Sequence, residues 1–128
     1  MALAFVPVLT FNNMSGLEWI VEAHGCNPTA LTDQRSLEAL FGALIGQLDL
    51  HPLGKTKWHQ FPHTGGITGV SLLSESHIAC HTFPEYASLC LNIFCCRPRA
   101  GADFESLLKQ YLGAAHVSVR ELDRPYQS

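Results

Sequence analysis

Positive charge is scarce in this chain. Only 8 of its 128 residues are lysine or arginine, against 11 aspartates and glutamates, which leaves a formal net charge of −3 and a pI near 6.1. The few cations are scattered, so the basic stripe of a nucleic-acid surface is missing and no nucleic-acid partner is expected. Long apolar runs are missing too: 47% of the residues are hydrophobic, yet none of the runs reaches the roughly 18 residues of a membrane-spanning helix. The apolar start Met1–Thr10 (MALAFVPVLT) has no basic n-region and is short for a signal peptide. Disulfides are not expected either. The five cysteines, Cys26, Cys80, Cys90, Cys95 and Cys96, are odd in number with two adjacent, which suits a reducing cytoplasm better than a disulfide framework. No CxxC pair marks Cys80, His81, Cys95 and Cys96 as metal ligands, and no metal is expected. Finally, there is no G-x-S-x-G elbow and no aspartate evidently placed for a hydrolase triad.

The length fits one domain, residues 1–128, with a single core. Residues 1–14 read as a lead-in without clear structure. Leu17–Ala23 (LEWIVEA) alternates and reads as a strand. Leu37, Leu40, Phe41, Leu44, Ile45 and Leu48 recur at helical spacing, with Thr32, Asp33 or Ser36 as the N-cap, and read as core. A second strand is expected over Lys55–Phe61, a loop over Pro62–Gly66, and two buried strands over Ile67–Leu73 and Ser88–Cys96. A second helix follows over Asp103–Leu112, closed by Gly113, and a last alternating strand spans His116–Leu122. The order β-α-β-β-β-α-β implies an α+β two-layer sandwich, an antiparallel sheet with two helices on one face. The uncovered face then calls for a partner surface, and a homodimer is the expected partner.

Between the two buried strands lies Ser74–Tyr86 (SESHIACHTFPEY), crowded with serine, histidine, cysteine, threonine and glutamate. A solvated loop has such a composition, and so does a reactive site held at the end of a sheet. Composition alone does not decide between them.

The wording of the segment is more specific. Leu73-Ser74-Glu75-Ser76-His77-Ile78, followed by His81-Thr82-Phe83-Pro84-Glu85-Tyr86, resembles the processing site of the short prokaryotic S-adenosylmethionine decarboxylases, whose pattern is close to (S/A)ESHxxxHTxPEY. The resemblance extends to Gly16, Glu22, Trp58-His59, Thr68-Gly69, Phe94 and Cys96. It holds in element order from about Gly16 to Leu122 and in residue detail from Thr68 to Cys96. It implies that the electron sink a decarboxylation needs is a carbonyl made from the chain itself. Ser76 attacks the carbonyl of Glu75, elimination and hydrolysis follow, and the products are residues 1–75 and residues 76–128, the latter opening with a pyruvoyl group derived from Ser76. On the same resemblance His81 is the proton acceptor of processing, Thr68 fills a place usually held by serine, and Cys96 reprotonates the substrate carbon. Cys95 points to the opposite face of its strand, so only one of the two cysteines reaches the site.

Other groups read as structural. Cys80, Cys90 and Cys95 are expected to be small buried residues, and His24, His51, His63 and His116 to be surface or packing residues. His59 and His77 stay open between pocket and structure. The resemblance places Glu85 on the substrate ribose, with Trp58, Phe83, Tyr86 and Trp19 as candidate aromatic partners of adenine and sulfonium. Glu18-Trp19 departs from the usual histidine, Phe83 from tryptophan and Asn92 from aspartate. S-adenosylmethionine is therefore the first expected substrate, feeding spermidine and other polyamine synthesis. Arginine or ornithine, with Glu18 facing the distal cation, is the second. A non-processing regulatory subunit is the third.

Overall fold

A computed structural model describes residues 15–127; the expected lead-in over residues 1–14 lies outside them. In chain order the elements are β1 (Ser15–His24), α1 (Pro28–Leu31), α2 (Gln34–Leu48), β2 (Lys57–Gln60), β3 (Ile67–Leu73), β4 (Ser76–Phe83), a 3₁₀ turn (Pro84–Tyr86), β5 (Ser88–Cys95), α3 (Phe104–Leu112) and β6 (His116–Pro125). The helical spacing resolves into α2, whose N-cap is Asp33: its carboxylate accepts from the Arg35 N–H at 3.0 Å. Leu37, Leu40, Phe41, Leu44 and Leu48 form its buried face. In α3 the cap is Asp103, and Gly113 at φ 68° closes the last turn in the left-handed region that favours glycine.

All strands pair antiparallel in the order β2-β3-β4-β5-β1-β6. Period-two alternation gives the sheet two different faces. Leu17, Trp19, Val21, Ile67, Leu73, Ile78, Leu89, Leu91 and Ile93 pack with the helices into one core. The opposite face carries Glu18, Ile20, Thr68, Val70, Leu72, His77, His81, Cys90, Asn92 and Phe94, and no helix among the described residues covers it. Val70 and Leu72 are 45% and 62% exposed there.

The expected architecture stands, with two corrections. A short helix, α1, adds to the two expected. More important, most of Ser74–Tyr86 is not a loop but β4, an interior strand flanked by β3 and β5, with Ser74 and Glu75 in the turn at the end of the sheet. Its pattern escapes a hydrophobic reading because polar residues occupy both faces, with Ser76 and Thr82 among the buried positions. Thr82 is admitted because its hydroxyl is fully used. It donates to the Leu31 carbonyl and accepts from the Ile67 N–H, both at 2.8 Å, tying α1 to the sheet.

Replacing Thr82 with valine keeps the shape and strands both partners, at a cost of about 1–3 kcal/mol for a buried unsatisfied group. Thermal unfolding of Thr82→Val is therefore expected at a melting temperature several degrees below that of the parent chain; an unchanged temperature would count against the bridging role.

Candidate active site

The β3–β4 hairpin turns on two residues, Ser74 and Glu75, with Leu73 and Ser76 paired across its mouth. Neither turn residue has a positive φ, so the connection is not one of the primed turns that best follow strand twist. Outside contacts hold it instead. Ser76 pairs with Cys95 on β5, and one step beyond, the Cys96 N–H donates to the Glu75 carbonyl at 2.7 Å. That donor sits on the oxygen of the Glu75–Ser76 peptide bond, where negative charge builds if the carbonyl is attacked. The Ser74 N–H donates to the His51 carbonyl at 2.8 Å.

The Glu75 side chain is gripped as firmly. Its Oε2 accepts from the Ser74 hydroxyl at 2.6 Å and lies 3.2 Å from His51 Nδ1, while its Oε1 lies 3.4 Å from the Ser76 hydroxyl. The Ser74 hydrogen bond is the main reason that the Glu75 carboxyl is lowered to about 2; burial opposes it, and His51 and Arg99 add to the lowering. Ser76 itself is buried, its side chain turned to the helix-covered face.

A second group lies farther along β4 on the open face. Thr68 and His81 are cross-strand neighbours, with Thr68 Oγ1 and His81 Nδ1 2.9 Å apart. They border a pocket of about 360 Å³ whose other walls include Phe61, Phe83 and Glu85. Ser76 and His81 belong to opposite faces of one strand and stand five residues apart, roughly 17 Å at the strand rise of about 3.4 Å per residue. Within one chain, then, Glu75, Ser76 and Cys96 form one cluster, and Thr68, His81, Phe83 and Glu85 another.

The remaining candidates divide clearly. Cys95 is buried, its thiol pushed up to about 11 chiefly by burial, and Cys80 likewise to about 12. Cys96 is exposed, so the two adjacent cysteines do face apart. Cys90 is not the buried residue expected; it is exposed on the open face, paired with His81. Trp58 does not join the pocket beside His81. It lies on the helix-covered face, its ring 5.0 Å from that of Phe41 and pressed so closely on Gly69 that a Cβ there would stand 2.3 Å from it. Trp19 is core as well, its indole N–H donating to Glu121 at 2.9 Å. Glu18 reaches the open face already paired: it receives the Arg124 guanidinium and the Asn92 amide, and Asn92 bonds His77 Nε2 at 3.1 Å. His59 is on the same face beside Thr68, in edge contact with Phe61.

Three site residues escape a reading of the sequence: His51, expected as a surface or packing residue; Phe61; and Tyr126, whose hydroxyl donates to the Cys96 carbonyl. The sequence does contain histidines four apart, His59/His63 and His77/His81, but no group of three potential ligands converges among the described residues.

Residues 17–125 match the S-adenosylmethionine decarboxylase family. Among similar curated proteins, an S-adenosylmethionine decarboxylase proenzyme of Thermococcus kodakarensis is 31% identical over 108 residues, covering 80% of this chain and 73% of that protein. One from Clostridium botulinum is 32% identical over 114 residues, covering 86% and 94%. In fold, the chain superposes on the adenosylmethionine decarboxylase of Aquifex aeolicus with a TM-score of 0.69 over 90% of this chain and 94% of the other, at 20% identity.

The lowered Glu75 carboxyl has a consequence for acid stability. A carboxyl whose folded pKa lies below its ordinary value contributes stability that is present above about pH 4.5 and is lost as pH falls toward about 2. In chains carrying Ser76→Ala, adding Glu75→Gln is expected to flatten the fall in melting temperature across that window. Parallel curves for the two chains would show that the carboxylate is not held as described.

Proposed function

The chain belongs to the S-adenosylmethionine decarboxylase family, and on that premise we propose that it is a proenzyme that cuts itself between Glu75 and Ser76 and then decarboxylates S-adenosylmethionine. The observation that carries this reading is the Cys96 N–H resting on the Glu75 carbonyl, directly beside the buried Ser76 hydroxyl. Attack by Ser76 Oγ on that carbonyl moves the acyl group from nitrogen to oxygen, with the growing charge received by the N–H. Loss of the Ser76 Cα proton then expels the main-chain carboxylate of Glu75 and leaves a dehydroalanine, which takes up water and releases ammonia to give a pyruvoyl group opening residues 76–128. That group supplies the electron sink for decarboxylation. The residues present suit it: a serine at the start of a strand, a donor on the scissile carbonyl, and a thiol at Cys96 next to the same bond.

The proton acceptor for the elimination must come within hydrogen-bond reach of Ser76. His81, the acceptor implied by the family pattern, is too far along its own strand. A second copy packed by its open sheet face, related by a two-fold axis that runs the strands antiparallel, would bring His81 and Thr68 of one protomer to the Glu75–Ser76 end of the other's sheet, where the group to be reached is the backbone Cα of Ser76 and not its covered side chain. The uncovered face and its exposed Val70 and Leu72 suit such a homodimer. Each complete site then has Ser76 and Cys96 from one chain and His81, Thr68, Phe83 and Glu85 from its partner.

Glu85 accepts hydrogen bonds from the ribose hydroxyls, while Phe83 and Phe61 offer rings to the adenine and the sulfonium. The basic-amino-acid alternative is weakened by Glu18, because Arg124 and Asn92 already occupy the carboxylate that would have to meet a distal cation. The product, decarboxylated S-adenosylmethionine, serves spermidine synthesis. All five cysteines are unpaired, which fits a reducing cytoplasm, and no described helix is long and apolar enough to cross a membrane.

Intact-mass spectrometry is expected to find two chains, residues 1–75 and a pyruvoyl-blocked remainder, with carbon dioxide released from S-adenosylmethionine and not from arginine, ornithine or lysine. Ser76→Ala and His81→Ala should each stay whole when expressed alone. Expressed together, the His81→Ala chain should be cut, because the Ser76→Ala partner supplies the missing imidazole. An uncut wild type, or no cutting in the mixture, would refute the cleavage or the shared site respectively.

A further pair of variants separates maturation from turnover. Cys96→Ala keeps its backbone N–H and is expected to be cut, but to lose about 10²-fold or more in decarboxylation, the scale of a lost proton-transfer group. Glu85→Gln should be cut as well and lose about 10- to 150-fold, corresponding to roughly 1.5–3 kcal/mol for a hydrogen bond to a charged group.

A further inference from the structure

The outer grip on the scissile turn has no place in the steps above. His51 holds that turn twice: its carbonyl takes the Ser74 N–H at 2.8 Å, and its ring Nδ1 lies 3.2 Å from Glu75 Oε2. The Ser74 hydroxyl fixes the same carboxylate oxygen at 2.6 Å, so the other oxygen, Oε1, is left facing the Ser76 hydroxyl at 3.4 Å. A hydroxyl that must become a nucleophile therefore has a clamped carboxylate beside it. His81, by contrast, lies on the other face of β4.

We propose that Glu75 is the proton carrier of the first step of self-cleavage and that His51 is the residue that positions its carboxylate for this task. The inference rests on the reading that the chain cuts itself at Glu75–Ser76. As the bond from Ser76 Oγ to the Glu75 carbonyl carbon forms, the hydroxyl proton passes to Glu75 Oε1, and the carbonyl π electrons move onto the oxygen held by the Cys96 N–H. When the carbonyl reforms, the C–N bond breaks with its electron pair on the Ser76 nitrogen, and the same proton moves from Oε1 to that nitrogen. An ester and an amine result, the carboxylate is restored, and no other reactant is consumed.

His51 is 64% exposed at its side chain and contributes little apolar packing, so its part in cleavage can be separated from a part in folding. Freshly translated chains are followed from whole to cut by denaturing gel and mass spectrometry. His51→Ala is expected to slow cutting about 10- to 100-fold, the range for one lost hydrogen bond to a charged group. His51→Gln, which can return an N–H to Oε2, should recover part of the rate, a rescue that a merely structural histidine would not show. Glu75→Gln, nearly identical in shape, should slow cutting by about 10²-fold or more, and it keeps the test sharp should His51→Ala fold poorly. In chains carrying Ser76→Ala, adding His51→Ala should leave the melting temperature nearly unchanged. Cutting at the wild-type rate in either His51→Ala or Glu75→Gln overturns the inference while the self-cleavage reading stands. A wild type that never cuts overturns that reading instead.

Discussion

One backbone hydrogen bond, from the Cys96 N–H to the Glu75 carbonyl, governs the arrangement of this protein. It continues the β4–β5 ladder one step past the last strand pair, Ser76 with Cys95, and so draws a turn into the regular geometry of the sheet. Everything at the Glu75–Ser76 bond is measured from that anchor. The carbonyl oxygen is held, the Ser76 side chain is directed into the buried layer, and Cys96, whose N–H does the holding, is itself exposed. A peptide bond in an ordinary hairpin tip is solvated and stable; here the surroundings of one bond are fixed by secondary structure on one side and by Ser74 and His51 on the other. This is preorganisation in the strict sense, since the donor is in place before charge develops.

The two faces of the sheet divide the labour. The covered face supplies cohesion, through α2 and α3 packed on Trp19, Leu91 and Ile93. The open face carries Glu18, Asn92, His77 and Arg124 as a connected set, with Phe94 lying between His77 and Arg124. A carboxylate so satisfied is a fixed part of the surface rather than a free ligand. Glu18 and Asn92, the two positions where the resemblance implies other residues, bond each other.

Much of this could be read from the residues in order, and the failures have physical causes. Helices α2 and α3 were legible because their apolar stripes repeat at the helical period and Asp33, Asp103 and Gly113 mark their ends. Strands β3 and β5 were legible as apolar runs. Strand β4 was not, because burying Thr82 depends on two partners distant in sequence, the Leu31 carbonyl and the Ile67 N–H, and no local pattern announces them. The same holds for the site. Ser76, His81 and Cys96 stand out through the resemblance of their segment to a known family, whereas His51 reaches Glu75 across 24 positions and Tyr126 reaches Cys96 across 30. Trp58 and Trp19 were misplaced for a related reason: an aromatic residue on a strand has no preference for pocket over core until the facing element is known.

The strand order carries a consequence for how the protein ages. The proposed cut after Glu75 would leave β1, β2 and β3 on one piece and β4, β5 and β6 on the other, yet β1 lies between β5 and β6, and β3 lies against β4. The pieces are interleaved, and neither owns a sheet or a core of its own. Before the cut, refolding is a first-order event within one chain; afterwards it is a second-order encounter between two fragments, and it slows on dilution. Maturation by the proposed cut would act as a ratchet. The fold would be assembled once, while the chain is continuous, and the cut protein would endure by the slowness with which β1 can be stripped from both neighbours at once.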